Sequence, residues 1–186
     1  LSPEDWKNVL DVLKAKGHVP FLDMAYQGFG DGIEEDAAAV RLFAESGLTF
    51  FASSSFSKSF SLYGERVGAL SIVTESKDET ARVLSQVKRV IRTNYSNPPT
   101  HGATIVAAVL NNPELREMWE QELGEMRLRI RGMRKAMVEK LAAQTDHDFS
   151  FVGRQRGMFS YSGLTTEQVH RLRNEFGIYE IGRAHV

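Results

Sequence analysis

The 186-residue sequence contains no cysteine, so it can form neither a disulfide framework nor a thiolate metal site. Its 23 basic and 24 acidic residues nearly balance, which gives no electrostatic case for a nucleic-acid or membrane partner. No apolar run approaches the roughly 20 residues that cross a bilayer. The histidines do not pair with other ligand types at helical spacing, which argues against a metal centre. These absences favour a globular protein, for which we expect a cytoplasmic location.

From both ends of the sequence, we expect that the chain is part of a longer protein. The first residue, Leu1, opens directly into a helix pattern, and we expect an interior piece of a longer protein. The final residues, EIGRAHV, belong to no periodic pattern and resemble a translated sequencing adapter. We therefore expect residues 181–186 to be a non-native tail, with a short natural tail as the alternative, and assign no function to Arg183 or His185.

Three short apolar segments predict β-strands in the first part of the chain. They are HVPFLDMAY, LTFFASS and RVGALSIVT (residues 18–26, 48–54 and 66–74). Helices are predicted before and between them: one with Ser2 as N-cap and Gly17 at its end, and one over residues 33–47. Strand, helix and strand at this spacing predict an α/β sheet covered on both faces.

Helices dominate the second part of the chain. Apolar spacing predicts them over residues 78–95, 101–112 and 113–144, and the last would be about 45 Å long at 1.5 Å per residue. That length suits a connector between two domains. The segments FSFV and GMFSYSG, a helix over 165–176 and a strand-like FGIY then indicate the start of a second, mixed α/β unit.

A lone lysine, Lys58, lies in the hydroxyl-rich and aromatic segment SSSFSKSFSLYGERVGAL, residues 53–70. A lysine amine attacks carbonyls once burial or a nearby cation lowers its pKa. Phe56 and Phe60 could supply the apolar surroundings, and Arg66 the nearby charge. By default, however, a lysine in a loop is a solvated lysine.

The residues around Lys58 have the chemistry that pyridoxal phosphate requires. Serine hydroxyls, backbone N–H groups and the Arg66 guanidinium are suited to a phosphate. The cofactor also needs an acid facing its pyridine nitrogen, for which Asp23, near the end of the first predicted strand, is the candidate. Tyr26 could bond the ring hydroxyl. The alternative for Asp23 is an ordinary aspartate at the end of a strand.

Four segments together resemble the class I aminotransferases, in the branch of the aspartate and aromatic-amino-acid enzymes. They are PFLDMAYQGFG, SFSKSFSLYGERVG, IRTNYSNPPTHGA and GMFSYSGL, in the order and spacing of that family. The resemblance covers essentially all of residues 1–180, and the bacterial aromatic-amino-acid aminotransferases are the most similar group. It implies the α/β architecture called fold type I of the pyridoxal-phosphate-dependent transferases.

The resemblance implies cofactor-binding and catalytic roles for six residues. Lys58 would bond pyridoxal 5′-phosphate as a Schiff base and then move a proton, and Asp23 would keep the pyridine nitrogen protonated. Tyr26 would bond the phenolic oxygen of the ring. The phosphate would be held by three further residues: Ser55, Ser57 and Arg66.

The resemblance also implies two substrate-binding residues. Arg92 would reach into the neighbouring subunit's site of a homodimer and pair with a substrate's distal carboxylate. Phe159 would line the substrate pocket, although core packing is an equally good interpretation. The chain would then comprise the C-terminal part of a large cofactor-binding domain (1–112), an interdomain helix (113–144) and a partial small domain (145–180).

The expected function follows from these assignments. We expect part of a cytoplasmic aminotransferase that moves an amino group between aspartate, glutamate or aromatic amino acids and 2-oxo acids. The chain alone would be inactive and would expose apolar strand faces. Two alternatives remain open at this point: a non-catalytic ligand-sensing domain of this fold in a transcription regulator, and a Schiff-base lyase or aldolase that uses no cofactor.

Overall fold

The structure is a computed structural model that describes residues 1–180. Its helices are α1 (Pro3–Lys16), α2 (Ile33–Asp36), α3 (Ala38–Glu45), α4 (Lys77–Tyr95), α5 (His101–Asn111), α6 (Pro113–Ala142), α7 (Ser150–Gly153) and α8 (Thr166–Phe176). Its strands are β1 (Phe21–Met24), β2 (Phe50–Ser55) and β3 (Gly68–Val73), and a short 3₁₀ turn spans Tyr63–Glu65. The expected non-native tail, residues 181–186, lies outside the described residues.

The three strands form one sheet in the order β1-β2-β3. β1 pairs with β2 in parallel, with Asp23 opposite Ser53, and β2 pairs with β3 antiparallel, with Ser55 opposite Gly68. Alternate residues of β2 point to opposite faces, so Phe50 faces the core while Ser53 faces the other side. The sheet therefore has one core face and one face that carries Asp23, Ser53 and Ser55.

The core lies between the sheet and the helices α1 and α3. It is formed by Leu10, Phe43, Phe50 and Ala52, all nearly or fully buried, with the ring of Phe43 edge-on to that of Phe50. The predicted boundaries of α1 are confirmed. Ser2 caps the helix in a capping box, and Gly17 ends it in a left-handed conformation. The helices α1 and α3 therefore cover the sheet on one side only.

The opposite face of the sheet is open in the described part of the chain. Phe21 is 63% exposed and Leu70 is 55% exposed, so the prediction of cover on both faces is wrong for residues 1–180. The reason is that α1 and α3 pack on the core face, and no described element covers Phe21 and Leu70. Exposed apolar residues on this face agree with the expectation that a chain of this extent leaves strand faces bare.

The helix predicted over residues 33–47 is instead two helices, α2 and α3, separated at Ala37. Asp36 is held by the loop before it, whose backbone N–H groups donate to its carboxylate. On the other side of Ala37, Phe43 of α3 is fully buried in the core. The chain changes conformation between these two anchors, at Ala37 with φ −86° and ψ 2°.

The strand-like interpretation of FGIY is wrong, and residues 145–180 contain helices and loops only. Gly177 and Ile178 donate their backbone N–H groups to Arg173 and Leu172, which closes α8 instead of starting a strand ladder. FSFV forms the single helical turn α7, which begins where the Ser150 N–H donates to the Asp148 carboxylate at 2.7 Å.

The long helix α6 spans 30 residues, close to the predicted 113–144, and Asn112 caps its N-terminus. Only part of its apolar surface is buried. Leu123 is fully buried, whereas Met118 and Met133 are exposed. Among residues 1–180, no helix combines the length and apolar character that a bilayer crossing demands.

Candidate active site

The carboxyl ends of the parallel strands β1 and β2 bring three predicted site residues to one edge of the sheet. Asp23 is the third residue of β1, Tyr26 follows two residues after that strand, and Lys58 follows three residues after β2. Ser53 Oγ donates to Asp23 Oδ1 at 2.6 Å across the strand pair. This hydrogen bond fixes the carboxylate, and its other oxygen, Oδ2, remains available to a ligand.

Lys58 lies against the ring of Tyr26. Its Nζ is 4.9 Å from the ring centroid, within the range of a cation–π contact. The lysine belongs to a turn over residues 57–60, which the Ser61 N–H closes onto the Lys58 carbonyl at 3.1 Å. The Tyr26 ring also meets two others edge-on, Phe29 at 6.0 Å and Phe159 at 5.2 Å between centroids. Lys58, Tyr26 and Phe159 are therefore brought together.

Ser55, Ser57 and Arg66 line one cleft of about 460 Å³ beside β2 and β3. The Ser57 N–H donates to Ser55 Oγ at 3.2 Å, and Ser57 is only 7% exposed. Arg66 adopts a left-handed conformation with φ 51° and ψ 48°, which is strained for a residue with a side chain. Its Nη1 donates to the Tyr63 carbonyl at 2.9 Å, and the guanidinium carries further N–H donors.

Arg92 does not join the other site residues in this chain. It is exposed on the last turn of α4, and its guanidinium donates to Ser96 Oγ at the end of the same helix. Ser96 itself has a positive φ of 65°, which ends α4 just before the two prolines of SNPP. Phe159, by contrast, is 45% exposed and lies at Tyr26.

Asp36 organises the glycine-rich turn that follows Tyr26, a role that the sequence did not reveal. Its carboxylate accepts three backbone N–H groups, from Gly28 at 2.7 Å, Gly30 at 2.9 Å and Asp31 at 2.8 Å. Charge-assisted hydrogen bonds of this kind are stronger than neutral ones. The only sequence signal was an acid in the first turn of a predicted helix, which is common at any helix N-terminus.

The long helix α6 supports both loops of the site. Trp119 Nε1 donates to the Ser59 carbonyl at 2.6 Å, and its ring stacks on Phe60 at 4.4 Å, so it braces the Lys58 turn. Arg127 Nη1 donates to the Gly28 carbonyl at 2.8 Å, which braces the turn after Tyr26. No local feature of the sequence signals the hydrogen bond between Trp119 and Ser59, which lie 60 positions apart.

A buried arginine, Arg134, is the least expected residue near the site. It is 6% exposed and donates only to neutral oxygens in residues 155–160. Burial, followed by repulsion from Arg131, lowers the pKa of its guanidinium below the ordinary value, and the group still remains protonated at neutral pH. Arginine on a charged helix gives no sequence signal of burial, because arginines usually lie in solvent.

The family Aminotransferase class I and II matches residues 1–184 of the chain. An aspartate aminotransferase of Pseudomonas aeruginosa is 79% identical over 187 residues, which cover 100% of this chain and 47% of that protein. The aromatic-amino-acid aminotransferase of Escherichia coli is 52% identical over 182 residues, 97% of this chain and 46% of that protein. The chain thus spans about half the length of these relatives, and both are enzymes by name, which lends the regulator alternative no support.

Solved structures agree with the sequence relatives. The aromatic-amino-acid aminotransferase from Burkholderia pseudomallei, covalently bound to pyridoxal phosphate, superposes with a TM-score of 0.94 at 71% identity. The match covers 97% of this chain and 46% of that one. A mitochondrial aspartate aminotransferase from Trypanosoma brucei superposes with a TM-score of 0.91 at 44% identity. The predicted α/β architecture of fold type I is confirmed, and the chain belongs to the class I and II aminotransferase family.

Proposed function

We propose that this chain is the cofactor-binding part of a pyridoxal-phosphate-dependent aminotransferase. The observation that carries the proposal is the convergence of Lys58, Tyr26 and Asp23 at the carboxyl edge of two parallel strands. Ligands of open α/β sheets bind at this edge. The Burkholderia relative, which holds pyridoxal phosphate covalently, supports the same cofactor for this chain.

The residues present fit that cofactor. The cleft of about 460 Å³ beside the site lies within the range of small-molecule sites, roughly 300–1,000 Å³. Its lining combines serine hydroxyls at Ser55 and Ser57 with the Arg66 guanidinium, donors suited to a phosphate. Ser53, which also lines this cleft, donates to one carboxylate oxygen of Asp23, and the second oxygen would accept a hydrogen bond from the ring nitrogen. The phosphate would be held by Ser55, Ser57 and Arg66, and the ring nitrogen by Asp23.

When bound, the cofactor supplies an electron sink for the carbanion formed at the substrate's α-carbon. The chain's own residues would position it and move protons. Lys58 Nζ would bond the cofactor's aldehyde carbon with loss of water and, once the substrate's amine displaces it, would take the α-proton. Asp23 would favour a proton on the ring nitrogen by its negative charge. Tyr26 would donate its hydroxyl to the ring oxygen, and its ring face lies against Lys58 Nζ.

We extend the proposal to substrates, assembly and location. Arg92, exposed and remote from this chain's own site residues, would serve a second subunit in a homodimer and bind the distal carboxylate of aspartate or glutamate. Aromatic amino acids are the other proposed substrates, with Phe159 as a wall of the pocket. The bacterial relatives support a cytoplasmic location. We further propose the division 1–112, 113–144 and 145–180 as large domain, connecting helix and small domain.

The test uses the full-length protein, meaning the natural chain that contains these residues. After incubation with pyridoxal phosphate, we expect an absorption band of bound cofactor that aspartate bleaches and 2-oxoglutarate restores. In the Lys58→Ala variant, we expect the absorption of cofactor bonded to a lysine amine to be lost. Lys88→Ala, an exposed lysine on α4, is the matched control and leaves the band unchanged. A band of identical shape and response in Lys58→Ala would refute the assignment.

A second readout separates cofactor binding from chemistry. Asp23→Ala leaves Lys58 free to bond the cofactor but removes the charge that holds the ring proton. We expect cofactor to remain bound, with transamination of aspartate lowered by several orders of magnitude, as for loss of a main electrostatic group. Full transamination by Asp23→Ala would show that another group supports the ring nitrogen.

A further inference from the structure

We propose that Arg134 is a positioning residue of the substrate pocket: it holds residues 155–160 so that the Phe159 ring stays on the Tyr26 ring, and thereby sets the affinity for aromatic substrates. The inference rests on the function proposed above. Arg134 itself touches neither Tyr26 nor Lys58 in any hydrogen bond, so its effect would pass through the loop that it binds.

The guanidinium of Arg134 acts as a clamp on that loop. Nε donates to Ser160 Oγ at 2.7 Å, Nη1 to the Gln155 carbonyl at 3.2 Å, and Nη2 to the Phe159 carbonyl at 2.9 Å. Nη2 also donates to the Gly157 carbonyl. One planar, buried group therefore satisfies four acceptors spread over six residues.

The loop has no regular secondary structure to fix its shape. Residues 157–160 form no helix or strand, and Gly157 has a φ of 82°, which a residue with a side chain rarely adopts. Gln155 gives further local support, because its side-chain amide exchanges two hydrogen bonds with the backbone of Tyr161. Arg134 supplies hydrogen-bond partners for the carbonyls of the residues on either side of Met158.

The clamped loop reaches the site by two contacts. The Phe159 ring meets the Tyr26 ring edge-on at 5.2 Å and 83°, and the Lys58 amine lies 4.9 Å from the centroid of that tyrosine. Arg156 Nη1 approaches Asp31 Oδ2 at 2.6 Å, which ties the loop to the turn that follows Tyr26. A shift of the loop therefore moves Phe159 relative to Tyr26.

Tyr26 has further support that does not involve Arg134. The turn after it is held by Asp36 and by Arg127, and its ring also contacts Phe29. Loss of Arg134 should thus disturb the Phe159 side of the pocket and spare the Lys58–Tyr26 contact. This separation predicts an effect on substrate binding without an effect on how Lys58 bonds the cofactor.

The experiment compares Arg134→Met and Arg134→Lys with Arg129→Met, an exposed arginine on the same helix, in the full-length protein with cofactor. Methionine keeps a long side chain without donors, and lysine keeps the charge without the planar fork. We expect KM for phenylalanine and Kd for the unreactive probe 3-phenylpropionate, measured by calorimetry, to rise about tenfold in both Arg134 variants. The kcat should stay within about twofold of wild type, and the pH midpoint of the cofactor's absorption change should be unchanged.

The same substitution in a Phe159→Ala background tests whether Arg134 acts through Phe159. We expect Arg134→Lys to add little there, because the ring that it positions is gone. An equal rise of Kd in both backgrounds would overturn the inference, as would Arg134 variants with the Kd of Arg129→Met. If Arg134→Met does not fold, Arg134→Lys decides by the same comparison. A wild-type protein without a cofactor band would instead refute the proposed function.

Discussion

Gly28, in the turn after Tyr26, leaves no room for a side chain beside Leu123 of the long helix, and substitution of these two residues tests how the turn is held. A Cβ at Gly28 would lie 2.4 Å from Leu123 Cδ2 and 3.3 Å from Ile33 Cγ1. Gly28 also has a φ of 94°, outside the range that side chains normally allow. Gly28→Ala therefore combines backbone strain with overpacking against a fully buried leucine.

Of the two effects of Gly28→Ala, the overpacking depends on the Leu123 side chain, whereas the backbone strain does not. The strained φ costs about 1–3 kcal/mol, and overpacking by one methyl group costs another 1–3 kcal/mol. Leu123→Ala alone costs about 2–5 kcal/mol through lost burial and a cavity. In the double variant the new methyl group enters that cavity, so the overpacking cost disappears, while the backbone strain at Gly28 and the lost burial of Leu123 remain. The double variant should be more stable than the sum of the single costs predicts by about 1–3 kcal/mol.

Urea denaturation of the full-length protein, followed by tryptophan fluorescence, measures these free energies of unfolding. Gly132→Ala in α6 is the matched control, since no atom lies within 4 Å of a Cβ there. It should stabilise the protein by about 0.5–1 kcal/mol, because alanine favours a helix over glycine. Additive costs in the double variant, within about 0.5 kcal/mol, would refute the packing described between Gly28 and Leu123.

Three further predictions concern two residues that support the site, Trp119 and Asp36, and one residue just before α7, Asp148. Trp119→Phe keeps a ring on Phe60 but loses the hydrogen bond to the Ser59 carbonyl, and should cost about 1 kcal/mol in urea denaturation. Asp36→Asn leaves one oxygen where the carboxylate offers two, and should lower the free energy of unfolding by about 2–3 kcal/mol; an unchanged value would contradict its three N–H contacts. Hydrogen bonds from Ser150 lower the pKa of Asp148, so its stabilising effect is complete above the ordinary aspartate pKa and is lost as pH falls through the lower, folded-state pKa. Asp148→Asn should flatten the acid limb of the stability–pH curve, and an unchanged limb would refute this.

Much of the site could be anticipated because its residues follow strands. The sequence pattern placed Asp23 near the end of one predicted strand and Lys58 in the loop after another, and the parallel pairing of β1 and β2 brings these two strand ends to one edge of the sheet. The starts of α1 and α6 were equally accessible, because serine is favoured at the N-cap and proline in the first turn of a helix, as at Ser2 and Pro113.

The remainder depends on contacts between residues far apart in sequence. Trp119 reaches Ser59 across 60 positions and Arg127 reaches Gly28 across 99, and no local pattern encodes such pairs. Helical spacing continued through Ala37, yet the chain changes conformation there because Asp36 binds the preceding loop. FGIY had the composition of a strand, but strands need a neighbouring strand to pair with, and none lies beside it in residues 1–180.

The most direct test of the central claim is to locate the cofactor on the chain. The full-length protein is incubated with pyridoxal phosphate and reduced with borohydride, which makes a cofactor–lysine linkage permanent, and its peptides are mapped by mass spectrometry. We predict one pyridoxyl group per chain, on Lys58. A group confined to other lysines, with Lys58 unmodified, would contradict this assignment.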